Sequence, residues 1–124
     1  MKRLFTIAIL LISMSSIAQQ IYIIDYVKIG DKEFVPANGV ISTFNYVVNI
    51  TCNDIKSKIV LEKDTYLKDT VKTGETIKTW YGHLAYEDKL DDIYFIVIYF
   101  EERISFIINY IDDDQGEIIF SVLK

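Results

Sequence analysis

Apolar and polar residues alternate with a period of two along most of the chain, and no segment after residue 18 sustains the 3.6 period of an amphipathic helix. The densest apolar sequence is residues 91–124, cut by acidic runs at Glu101-Glu102 and at Asp112-Asp113-Asp114. The pattern predicts three strands there. Residues 93–100 are apolar on both faces, which suits a central or doubly covered strand. The next strand places Ile104, Phe106, Ile108 and Tyr110 on one face, with Arg103, Ser105 and Asn109 opposite. The last places Ile118, Phe120 and Val122 against Glu117 and Ser121. Together they read as an antiparallel C-terminal meander.

Upstream, residues 40–52 show the cleanest alternation and read as one half-buried strand. Phe44, Tyr46, Val48, Ile50 and Cys52 share a face, and Thr43, Asn45, Asn49 and Thr51 the other. Asn38-Gly39 is a tight-turn dipeptide just before it, and Asn53-Asp54 breaks the pattern after it. Ile55, Ser57, Ile59 and Leu61 then alternate with charged positions, predicting a hairpin partner. Residues 21–29 form a strand of poorly specified register. Pro36, the only proline, ends a short extended piece because it cannot donate to a ladder. Residues 65–72 favour a short strand, 76–81 a strand stopped by Gly82, and 84–92 a short helix or irregular connection. Short strands at regular spacing predict an all-β domain, a small antiparallel sandwich or barrel of about 7–9 strands.

The first eighteen residues carry a different message. Lys2 and Arg3 precede an apolar run over residues 4–12, and Ser16-Ile17-Ala18 is a small-x-small cleavage site. The run is shorter than the roughly 20 residues a membrane helix needs, and no cysteine follows the cut to take a lipid. The expectation is a cleavable signal peptide over 1–18, a single domain over 19–124, and a secreted or periplasmic location with no membrane span after cleavage. Cleavage removes two bases and no acids, taking the net charge from −5 to −7 over the remaining 106 of 124 residues. An acidic chain of this kind excludes nucleic acid and anionic lipid as expected partners, since both require clustered Lys and Arg. The single cysteine, Cys52, permits no intramolecular disulfide, so stability must come from apolar burial.

Three constellations could carry chemistry. Trp80-Tyr81-Gly82-His83 sets aromatics beside a glycine, as in a stacking platform for a glycan or an anchor for a protein partner; the plain alternative is that Trp80 closes one end of the core. The meander topology should bring Asp91 and Asp92 to the same end as Asp112, Asp113, Asp114 and Glu117, a set of oxygens that calcium could use. The spacing matches no calcium-loop motif, and acidic turns also serve solubility. Cys52 and His83 would form a nucleophilic dyad only in a shared cleft. Cys52 instead extends an apolar row and reads as an inert thiol. Asn49-Ile50-Thr51 matches a glycosylation acceptor but falls inside a strand. Phosphate loops, zinc spacings and nucleophile elbows are absent from the sequence.

The expected function is therefore non-enzymatic: a module that binds a protein or glycan through a β edge or an aromatic-lined face. Two alternatives accompany it. One is a carrier of a small apolar ligand inside a barrel, although 106 residues leave little interior room. The other is an envelope protein stabilised by calcium at the acidic end of the meander. Apart from calcium, no cofactor is expected.

Overall fold

A computed structural model describes residues 19–70, 73–111 and 116–124. The expected signal peptide, residues 1–18, and the acidic residues Asp112, Asp113 and Asp114 lie outside the described residues. Nine strands account for most of the remainder: β1 (Gln20–Ile29), β2 (Val35–Phe44), β3 (Val47–Cys52), β4 (Ile55–Leu61), β5 (Leu67–Thr70), β6 (Thr76–Tyr86), β7 (Lys89–Tyr99), β8 (Arg103–Tyr110) and β9 (Glu117–Leu123). All pair antiparallel in the order β4-β3-β2-β1-β9-β8-β7-β6-β5. A further pairing of β4 with β6 closes eight of them into a barrel, leaving β5 as an extra strand.

The closing seam is short. Lys58 to Leu61 pair with Gly82 to Ala85, and Glu62 N donates to Tyr81 O just beyond. Past that point the chain makes a 3-10 turn (Lys63–Thr65) and returns as β5, which pairs with the first four residues of β6. Gly82 forms the last pair of the seam, opposite Leu61. A Cβ there would lie 2.7 Å from the Val60 carbonyl oxygen, so only glycine lets β4 approach this closely. Gly82 therefore does not stop a strand, and β6 runs on to Tyr86.

Tight hairpins explain the other departures from the sequence pattern. Residues 40–52 are not one strand: Asn45-Tyr46, both in the left-handed region (φ 50° and 65°), turn β2 into β3. A two-residue loop switches the parity of the inner face. Ile41 faces its partner Ile50 across the hairpin, so the core set is odd-numbered before the turn and even-numbered after it. Asn38-Gly39 is not a turn either. It lies within β2, where a Cβ at position 39 would come within 2.3 Å of the Thr51 oxygen, and Asn38 exchanges hydrogen bonds with Asn53 at the β3–β4 turn. Residues 84–92 hold neither helix nor irregular connection; Glu87-Asp88 form a third two-residue hairpin between the long β6 and β7.

Eight strands leave an interior just wide enough for side chains to fill. Ile24, Ile41, Ile59 and Ile93 are almost completely buried at its middle, with Phe95 and Phe106 beside them. A bulge around Asp25 in β1 lets both Ile24 and Val27 point inward. On the outside, the expected cover over β7 is lateral: Ile96, Ile107 and Ile119 stand in one cross-strand row. Arg103 stitches the outer wall, donating to Asp25 (2.9 Å) on β1 and to Ser121 (2.8 Å) on β9.

Candidate functional site

Alternation along β6 decides what becomes of the Trp80-Tyr81-Gly82-His83 run. Lys78, Trp80, Gly82, Leu84 and Tyr86 take the inward parity, and Thr79, Tyr81 and His83 the outward one. Trp80 and its neighbours Tyr81 and His83 thus belong to opposite sides of the barrel wall and do not form one platform. Trp80 is half-buried, stacked on Tyr66 (4.9 Å between centroids, 22° between planes) and tilted against Phe95 at 6.2 Å. It closes one end of the core.

His83 lies on the outer wall between two carboxylates. Nε2 is 2.9 Å from Glu62 Oε1, and Nδ1 is 2.8 Å from Asp92 Oδ1. A ring whose two nitrogens both face carboxylates is best satisfied as the imidazolium, which donates from both. The hydrogen bond to Glu62, then that to Asp92, raises the His83 pKa above its ordinary value. Tyr81 flanks the ring edge-on at 5.2 Å and meets Tyr94 at 6.2 Å. This clasp joins the end of β4 to β6 and β7. With both nitrogens engaged it has no lone pair for general-base work.

Cys52 stands elsewhere, at the end of β3, where it lines a cavity inside the barrel and burial raises its thiol pKa. The Cys52–His83 dyad is not assembled, because one group faces inward and the other outward. The acidic end is partly assembled. The meander returns the end of β8 to the start of β7, with Ile111 N donating to Asp92 O, and Tyr110 N to Gly116 O. Asp91 and Asp92, adjacent on β7, take opposite faces, and the Asp92 carboxylate is engaged by His83. Glu117 opens β9, opposite Asn109. Among the described residues no group of three or more His, Cys, Asp or Glu side chains could hold a metal. Asp112, Asp113 and Asp114, on which the calcium expectation largely rests, lie outside the described residues.

The two ends of the barrel hold what the sequence did not single out. At the end where β1, β4, β8 and β9 turn, a cavity of about 260 Å³ is walled by Val27, Ile29, Ile50, Ile55, Leu84, Ile108, Ile118 and Phe120. Cys52, Asn53, Ser57, Tyr86 and Tyr110 supply its few polar atoms, and none of its lining residues is charged. At the opposite end a cavity of about 230 Å³ is ringed by aromatics, including Tyr22, Phe44, Tyr46, Trp80, Phe95 and Tyr99. Ile24, Ile41, Ile59 and Ile93 line neither cavity and separate the two. A lysine two residues before Trp80 and at the same parity, Lys78, is the sequence signal for the second cavity. The first had no comparable signal, because its walls are ordinary core residues.

Among the described residues no helix is long and apolar enough to cross a membrane. Comparison with models of known protein families, with curated proteins and with solved structures finds no match to this chain.

Proposed function

We propose that this domain is a non-enzymatic binding protein of the cell envelope or extracellular space that holds a small apolar molecule at one end of its barrel. The observation that carries the reading is the uncharged cavity of about 260 Å³ framed by isoleucines of β1, β3, β4, β8 and β9. The cavity opens at the barrel end, so an apolar molecule that enters it removes its isoleucine walls from water. The volume lies just below the roughly 300–1,000 Å³ of sites for drug-sized ligands. Scaled from benzene in a cavity of about 150 Å³, it suits a molecule of about ten non-hydrogen atoms. Tyr86 and Tyr110 at the lining would face a single polar group on such a ligand.

Titration with 1-nonanol tests this, read as a rise in Tm. At a free concentration ten times Kd the expected stabilisation is about 1.4 kcal/mol, which lifts the Tm of a domain this size by about 6–11 °C. Ser57 is half-buried in the cavity wall, and Ser57→Phe should fill the space and abolish the rise without removing a core side chain. No rise in the wild type, or an undiminished rise in the variant, contradicts the reading.

A protein partner is a second reading, favoured by one observation. Ile21 and Ile23 on β1 and Val40, paired with Ile23, on β2 stand exposed together on the outer wall. Ile23→Lys should abolish partner capture from envelope or host-fluid fractions while leaving nonanol binding intact; undiminished capture argues against this face.

A further inference from the structure

The aromatic cavity at the other end differs in chemistry from the apolar one, and its charges are unbalanced. Fifteen residues line it, and Lys78 is the only charged one. The chain holds 18 acidic residues against 13 basic ones, yet the described structure gives the Lys78 ammonium no carboxylate partner; it lies over the Tyr99 ring, 4.9 Å from the centroid. Directly across the ladder from Lys78, on β5, is Lys68. Like charges in facing positions are destabilising, and Lys68 places a second positive charge opposite the one that lines the cavity. A third ammonium, that of Lys63, lies over the ring of Tyr46, another lining residue.

Hydroxyls and amides accompany these cations. Tyr22, Gln20, Thr43 and Asn45 line the same mouth, and the Tyr22 hydroxyl donates to the Gln20 side chain. Burial, and then the proximity of Tyr99, raise the Tyr22 pKa, so this phenol stays a neutral donor. The Tyr22 proton is thus committed to Gln20, and the mouth presents ammonium groups and the Thr43 hydroxyl above an aromatic floor of Trp80, Phe95 and Phe106. That is the complement of a molecule with an anionic head and a flat apolar body.

We propose that the aromatic mouth is a second binding site, specific for a small aromatic carboxylate whose acid group seats against Lys78 and whose ring packs on Trp80. The anion neutralises the facing Lys68–Lys78 pair, which nothing else described in the structure does. The site is separated from the apolar cavity by the central isoleucine layer and stands independently of the function proposed for that end.

Trp80 is the only tryptophan, so its indole N–H gives a single resonance that reports on this site alone. Phenylacetate, titrated into the whole domain, should shift that resonance saturably. Phenylacetamide, the same size without the charge, should bind at least about tenfold more weakly, in line with the worth of a charge-assisted hydrogen bond. Lys78→Met should erase the preference for acid over amide, and Ser57→Phe, at the far end, should leave it unchanged. Equal binding of acid and amide by the wild type overturns the proposal without recourse to any variant. So does a preference that survives in Lys78→Met, or one lost in Ser57→Phe.

Discussion

His83 is a single side chain that ties three elements together, and its charge state governs whether it does so. Held between Glu62 and Asp92, it has a folded-state pKa raised above the unfolded value of about 6.5. Its contribution is therefore fully present below about pH 6.5, provided the carboxylates remain ionised, and fades as pH rises through the raised value. The three side chains are 30%, 51% and 44% exposed, so the contribution belongs with surface ion pairs, about 0.2–1 kcal/mol. His83→Gln should be less stable than the wild type by that amount at pH 5.5, and the gap should close by pH 9. Denaturation midpoints at the two pH values check this; a gap that widens with pH has the wrong sign.

Gly39 illustrates the opposite case, a residue defined by what it lacks. A Cβ would meet the Thr51 oxygen at 2.3 Å and the Cys52 Cα at 2.9 Å, so β2 and β3 would have to separate. Overpacking against rigid backbone costs about 3 kcal/mol, and Gly39→Ala should lower the urea midpoint accordingly. Asn-Gly read as a turn from sequence because the same freedom that suits a turn also suits a close strand crossing. Which of the two applied depended on Thr51, twelve residues away.

At the level of elements, legibility followed how local the determining contacts are. The inner faces of β8 and β9 were evident, since Ile104, Phe106, Ile108 and Ile118, Phe120, Val122 alternate without interruption. The Asn45-Tyr46 turn was hidden because tyrosine is costly in the left-handed region, and because its neighbours keep an apparent alternation through it. The 84–92 segment looked irregular because Glu87, Asp88, Asp91 and Asp92 dilute the apolar signal. Yet the ladder runs uninterrupted from Tyr86 opposite Lys89 to Thr76 opposite Tyr99. Pairing lengths also predict where the barrel opens first. β7 and β8 pair over seven residues in the core, whereas the β4–β6 seam has four pairs and β5 has four with a free outer edge. Hydrogen exchange should be slowest in β7–β8, faster at the seam and fastest in β5. Comparable protection of all three would show that the closure is stronger than its pairings suggest.

Over the whole molecule, closing the sheet changes what the strands can do. Eight of the nine strands have neighbours on both sides, so the β-edge mode of partner binding is restricted to β5 and the few positions beyond the seam. The barrel was one of two architectures compatible with the strand pattern. The choice between them rests on pairing β4 with β6 and β1 with β9, long-range contacts that alternation does not encode. Closure also creates the two ends, with a central layer of buried isoleucines between them. The function proposed for this domain depends on one of those ends being apolar and open. Isoleucine δ1-methyl NMR during nonanol titration tests that most directly, because isoleucines line the cavity and also mark the outer wall. Shifts should be confined to Ile29, Ile50, Ile55, Ile108 and Ile118, with Ile21, Ile23 and Ile98 unmoved. Shifts concentrated at Ile21 and Ile23, or none at saturating ligand, would contradict the proposed function.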